Sequence, residues 1–413
     1  MATVALTALA CSTVIACGAR TELFLAEPSS DAAAPKSEPD AGARSCPDVV
    51  PRCVARNASD PCGAPHLVPA ECDAALLAWR CPSGSFLYAR SDTASECLPL
   101  HDQPEVSAVT GTLAAVPTED GKCLWVAEDV LLSDGAQLRN VGFEVTPTFT
   151  FGTCPQVGFA GGIISSSVAF SDGTVDPTLL VQITGGYLLD GKTRVTYRLF
   201  RVDPSAVFGA TVLGSGLGYW DSTRQQIIVF GAEKPRFEVD LSLGNASLVD
   251  ENFAYVWGCN RPGAYLSEGC LLARLDPRDK LELYLGNDAW SASAATAASA
   301  VVFEDGPWIS SVRRSRAKPD SLLHVFITNF DHTLQVQGAA RAEGPWGGPT
   351  PNARCALPAL DPKAFCAAPV VHEELADPTR PTEVVVSYDV DTTSTNPQRS
   401  IADYWSRLVW THE

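Results

Sequence analysis

Two carboxyl groups held roughly 5–9 Å apart can do general acid–base work, one giving a proton and one acting as base or nucleophile. The chain has 48 acidic residues, so only their place on structural elements can single out a pair. Asp129, Asp221 and Glu268 stand near the ends of strand-like runs, and Glu373 lies beside His372. His372-Glu373 also opens the pattern of a zinc-protease helix, but position 376, where the second ligand would stand, is Ala. The stretch from Gly186 to Thr193 has the spacing of a phosphate-binding loop. That loop works only if a helix follows, with its N-terminus facing the phosphate. Residues 193–202 alternate instead and are rich in β-branched side chains, so they read as a strand after an Asp190-Gly191 hairpin turn. No nucleotide is expected. Asp389-Val390-Asp391 lacks the Gly and downstream Glu of a calcium loop, and no G-x-S-x-G supplies a nucleophilic serine. Nine Trp offer faces on which a sugar can stack, Trp220 among them, although most belong in a core.

The elements that must hold these residues are short strands. From about Glu105 onward, apolar and β-branched runs alternate with Gly, Asp, Asn and Pro. Examples are 123–132, 177–184, 193–202, 226–230, 253–258, 270–275, 322–328 and 383–388. The runs group into five units, roughly 105–155, 158–205, 207–292, 297–351 and 364–413. Radial packing of small antiparallel sheets would leave few exposed edges, so an all-β, five-bladed propeller over 105–413 is the expected fold. A β-sandwich is the alternative, but some 300 residues of strands is large for one.

Cysteines set the compartment. Of the 14 Cys, Cys11 and Cys17 fall in an apolar N-terminal stretch, and twelve remain. Six lie between Cys46 and Cys97, a density that suggests a small disulfide-stapled module over 46–100. Its pairing is left open, since six Cys allow 15 connectivities. The later six are spaced for local bridges: Cys123 with Cys154, Cys259 with Cys270, and Cys355 with Cys366. There is no C-x-x-C and no paired His at zinc spacing, so a metal site is not expected.

Residues 1–16 carry no charge and are too short to span a bilayer, which takes roughly 20 residues. They suit a signal peptide. Val14-Ile15-Ala16-Cys17 resembles a lipobox, which makes Cys17 the expected point of lipid attachment. Residues 17–45 are rich in Ala, Pro, Ser and acids, and read as a flexible tether. The expectation is an exported lipoprotein held at an outer membrane or bacterial surface. With a net charge of −18 and no basic stripe, nucleic acid is excluded as a partner. A monomer is expected.

Several strings resemble arabinanase-like five-bladed propellers and their secreted relatives. Arg341–Pro349 (RAEGPWGGP) resembles a blade-closing turn, and residues 306–312 (GPWISSV) an inner strand. His372-Glu373-Glu374, with EVVVSY and Tyr404–Leu408, is similar to the closing blade, and Trp125–Asp129 to a first-blade strand ending in an acid. The resemblance implies a channel ligand, most simply carbohydrate, near His372 and Trp220, with Asp129 as a channel acid. It implies binding first, and alternatively glycoside hydrolysis by channel carboxylates. Calcium in the channel is compatible with it; no other cofactor is expected. A purely protein-binding propeller face would lack two carboxylates within about 10 Å of each other.

Overall fold

The computed structural model describes residues 46–413 except 47–49, 58, 74–77, 84, 88–95, 101–102, 146–153, 155–156, 159–167, 174–175, 207–208, 230–236, 238–241, 261–268, 294–297, 304–308, 329–330, 360 and 393–403. Cys17, the export segment, the tether and Glu268 therefore lie outside the described residues. Among those described there is no α-helix, and no helix is long and apolar enough to cross a membrane.

The first strands are short: β1 (Arg52–Ala55), β2 (His66–Pro69), β3 (Glu71–Asp73), β4 (Ala78–Arg80), β5 (Ser85–Leu87) and β6 (Glu96–Cys97). β1 pairs with β2 and β5, and β3 with β4. Five larger sheets follow in chain order. The first holds β7 (Val106–Pro117), β8 (Cys123–Leu132), β9 (Gln137–Val145) and β10 (Val157–Gly158). The second holds β11 (Val168–Phe170), β12 (Leu179–Leu189), β13 (Lys192–Val202), β14 (Ala210–Asp221) and β15 (Gln226–Val229). In the third are β16 (Ser242–Asp250), β17 (Phe253–Asn260), β18 (Cys270–Leu275), β19 (Leu281–Gly286), β20 (Ala289–Ser291) and β21 (Val301–Phe303). The fourth comprises β22 (Ser311–Arg314), β23 (Leu322–Ile327), β24 (Thr333–Ala339) and β25 (Thr350–Arg354). The fifth comprises β26 (Ala364–Val371), β27 (Glu383–Thr392) and β28 (Arg407–His412), and takes β6 as its outer strand.

The leading strand of each sheet packs on that of the next: β7 on β12, β12 on β16, β16 on β22, β22 on β26, and β26 back on β7. The cycle closes. Apolar side chains fill each gap between neighbours. Trp125, Phe143, Val385 and Leu408 join the first and fifth sheets, while Val116, Val126, Ile183 and Ile227 join the first and second. Successive residues of β8 serve opposite gaps, Trp125 and Ala127 on one side and Val126 on the other. A strand buried on both faces reads as a continuous apolar run, which is why CLWVA is legible as one.

Two expectations about grouping need correction. The second unit does not end near 205: β14 pairs with β13 along most of its length, so residues 210–229 belong to the second sheet and the third begins at β16. Nor do Cys123 and Cys154 pair. Cys123 bonds Cys62, and Cys154 bonds Cys97. Spacing favoured the local pair, but Cys123 begins β8, beside the leading strand, while Cys154 lies between β9 and the outer strand β10, and each bonds a cysteine of the Cys-rich segment rather than the other. The remaining bridges are Cys46–Cys72, Cys53–Cys81, Cys259–Cys270 and Cys355–Cys366. The phosphate-loop spacing is the β12–β13 hairpin, with φ +52° at Asp190 and +68° at Gly191.

Candidate functional site

A cleft of about 500 Å³ opens over the first halves of the leading strands β7, β12 and β26, and continues onto β8 and β27. Four carboxyl groups line it: Glu128, Asp129, Asp389 and Asp391. Phe200, Phe365 and Tyr404 supply aromatic wall.

A break in the β7–β8 ladder creates the site. Thr110 pairs with Asp129 and Leu113 with Ala127, so Gly111 and Thr112 together face only Glu128. Such a bulge frees backbone donors and re-aims side chains. Here both freed N–H groups are used. The Gly111 N–H donates to Asp389 Oδ1 at 2.8 Å, and the Thr112 N–H donates to Glu128 Oε2 at 3.0 Å. Adjacent backbone nitrogens are less than about 4 Å apart, so the two carboxyl oxygens lie within roughly 10 Å of each other. Gly111 makes this approach possible. Its φ is +77°, and a Cβ there would stand 2.7 Å from Glu128 Oε2. No L side chain fits that space.

Burial dominates the electrostatics. It pushes Asp389 up to about 8, and the neighbouring Asp391 and Glu128 push the same way against the Gly111 hydrogen bond. Asp391, exposed at the mouth, is also raised by desolvation. Desolvation raises Glu128, while the Thr112 N–H and the Gln182 amide, which donates at 2.8 Å, oppose it. Behind Glu128, Arg198 is buried, and burial lowers it to about 9 although the Glu128 charge favours its protonated form. Gln182 faces Arg198 across the β12–β13 ladder, so one network ties the carboxyl to the second sheet. Asp129 is raised by burial and held by Arg139 at 3.3 Å. Like charges in a shared desolvated site cannot all ionise together. The cleft therefore carries at least one carboxyl, Asp389, that keeps its proton at neutral pH.

The residues expected from the sequence scatter. Asp129 does line the cleft. Asp221 does not: it ends β14 at the opposite end from Ala210, the β14 residue on the cleft, and caps a turn by accepting from the Thr223 and Arg224 N–H groups. Trp220 packs, half-buried, among the side chains between the first two sheets rather than in a channel. His372 is wholly buried, bonded through Nδ1 to Glu374 and through Nε2 to the Ser387 hydroxyl, with Trp125 against its ring. It is a core histidine. Trp125 Nε1 donates to the same Glu374 oxygen at 2.6 Å. Glu373 is ion-paired with Arg313, away from the cleft. Trp346 anchors its turn, donating to the Ala342 carbonyl and packing on Phe303.

Sequence reasoning missed Glu128, Asp389 and Asp391. The signal was present in part: Asp389 and Asp391, two apart on a strand, share a face. Their spacing also fits part of a calcium loop, and that likeness hides the shared face. Among the described residues no three His, Cys, Asp or Glu side chains converge as a metal site.

No family profile matches the chain, and no curated protein matches it. Solved structures do resemble it, and they are arabinanase-like propeller hydrolases. One, a protein of Bacteroides ovatus assigned provisionally as a hydrolase, is 13% identical with a TM-score of 0.56, covering 74% of this chain and 86% of that one. An exo-β-1,3-galactanase of Bifidobacterium bifidum, also a provisional assignment, is 14% identical at a TM-score of 0.47, covering 77% and 92%. The GH43_1 enzyme of Xanthomonas citri is 13% identical at 0.44, covering 77% and 90%. At such identities the likeness is one of fold.

Proposed function

We propose that the five sheets are the blades of a five-bladed propeller that binds carbohydrate in the cleft and hydrolyses a glycosidic bond there. The observation that carries this reading is the bulge at Gly111-Thr112, whose two N–H groups hold oxygens of Asp389 and Glu128 within roughly 10 Å of each other, a range that includes the separations of a glycosidase pair. Asp389, protonated at neutral pH, gives its proton to the glycosidic oxygen as the bond to the anomeric carbon breaks. Glu128 takes a proton from the water that bonds to that carbon, and both carboxyls reset by exchange with solvent. Phe200, Phe365 and Tyr404 offer surfaces for the apolar faces of sugar rings. The lipobox-like Val14–Cys17 string and six disulfides support an exported protein anchored through Cys17, preceded by a signal peptide and followed by a tether.

Release of reducing ends from a panel of plant and bacterial polysaccharides tests the proposal. Turnover by the intact protein that vanishes in Asp389→Asn and Glu128→Gln supports it. A second reading, binding without turnover, draws on the hydrogen bonds already engaging Glu128 Oε2 from Thr112 and Gln182. It predicts saccharide binding in calorimetry with no product. A blank in both assays rejects both readings.

A further inference from the structure

A second cavity, of about 220 Å³, lies where the later parts of all five leading strands meet. On β7, β12 and β26 it takes residues 115, 117, 184–188, 370 and 371, where the cleft takes 110–112, 180, 182 and 365–368. The two share no lining residue. The Cys-rich segment completes this cavity: Ser59 and Asp60 stand exposed at its rim and Cys62 lines it. That turn is pinned by the Cys62–Cys123 bridge and by Arg56, whose guanidinium donates to the Glu374 carbonyl at 3.1 Å. Two buried donors on the wall are unused. Ser310, just before β22, is 4% exposed and Arg313, within it, is 9% exposed. Among the described residues, Ser310 Oγ and Arg313 Nε have no hydrogen-bond partner. Buried polar groups are nearly always bonded, so both call for acceptors from outside the chain. Leu248, Val370 and Val371 line the same space, and water beside such side chains finds few partners, which favours its displacement.

We propose that this cavity is a second binding site, taking one neutral monosaccharide ring whose oxygens accept from Arg313 and Ser310 while its apolar face covers Leu248, Val370 and Val371. Charge sets the neutrality. Glu373 already pairs with Arg313, and Asp60 lies within electrostatic reach of both. An anion would therefore meet two carboxyls beside a guanidinium that is already matched, and an ammonium would face that guanidinium. Size sets the single ring: the cavity is smaller than the roughly 300–1,000 Å³ of pockets that enclose drug-sized ligands. Neither Asp389 nor Glu128 takes part, so the site goes beyond the cleft reading and does not depend on hydrolysis there. The Cys-rich segment gains a role as one wall of a binding site.

Titration calorimetry of the intact protein with glucose, galactose, mannose and xylose tests this, with glucosamine and glucuronate as charged controls. At least one neutral sugar should bind at a single site with a Kd on the order of 1 mM, and both controls should bind about tenfold more weakly or worse. Ser310→Ala removes one unused donor. Arg313→Lys keeps a charge beside Glu373 but lacks the Nε–H. Each should weaken binding about tenfold, while Glu128→Gln, a change in the cleft, should leave the Kd where it was. If Arg313→Lys does not fold, Ser310→Ala, which deletes only a hydroxyl, decides. Binding of no neutral sugar means that the cavity holds water only and overturns the inference. So does binding that Ser310→Ala leaves unmoved, that Glu128→Gln abolishes, or that the charged controls match. None of these outcomes touches the cleft reading, which stands or falls on polysaccharide turnover and binding.

Discussion

Replacing Asp389 by Asn should stabilise the protein while abolishing its chemistry. The folded state holds this carboxyl at about 8, against an ordinary value of 3.8. Below about pH 4 both folded and unfolded chains carry the proton. Between about 4 and 8 only the folded chain does, so stability falls as pH rises through that window, by about 1.4 kcal/mol for each pH unit. Above about 8 neither holds it and the loss is complete. Four units set an upper limit of about 5–6 kcal/mol. Asp391 shares the titration and the group is partly open to solvent, so about 3–4 kcal/mol at pH 8 is the working figure. Asn keeps an oxygen for the Gly111 N–H and removes the proton. Urea unfolding at several pH values from about 5 to 8, with disulfides intact and Trp fluorescence as readout, should show a falling midpoint for the wild type and a distinctly shallower fall for Asp389→Asn, in which the other raised carboxyls remain. Parallel curves for the two proteins would refute the reasoning that burial, rather than any partner, sets the state of this carboxyl.

Gly111→Ala places a Cβ 2.7 Å from Glu128 Oε2 at a φ of +77°, and should cost about 2–4 kcal/mol together with saccharide binding; wild-type melting and binding would contradict the bulge as the organiser of the site. Arg198→Met removes the guanidinium behind Glu128, so the acidic limb of the pH–rate profile should move to higher pH; an unmoved limb means that Glu128 is not the base. Cys62→Ser opens a span of 61 residues, and should lower stability by about 4 kcal/mol in the chain-entropy picture. Peptide mapping without reduction should recover Cys62–Cys123 and Cys97–Cys154, and a Cys123–Cys154 peptide would overturn the bridging described here.

Much of the framework was legible in the sequence because strands write their burial locally. The runs at Cys123–Leu132 and Cys270–Leu275 have the bounds that their apolar patterns suggest, and Asp190-Gly191 turns the chain as its residue types require. What failed was anything set by distant partners. Whether residues 210–229 join the strands before or after them depends on pairing with β13, and Cys123 finds Cys62 only because the Cys-rich segment folds against the first sheet. The site suffered most. Asp129 is a strand acid that resembles a known pattern, yet its neighbour Glu128 is the one the bulge engages. A two-for-one mismatch at Gly111-Thr112 has no local signature beyond a glycine in a strand. Asp221 looked equally good on the page and proved to be a turn cap.

The short strand β6 carries a consequence for handling the protein. Through Cys97 it is hydrogen-bonded to the last sheet and sulfur-linked to Cys154, which lies just before the outer edge of the first. The seam where the ring's two ends meet is thus sutured by a piece of chain that precedes the ring. A shortened protein starting at Glu105 would keep all five leading strands and still lose the stitch. It should gape at that seam on warming, and reductant should make the full-length chain do the same.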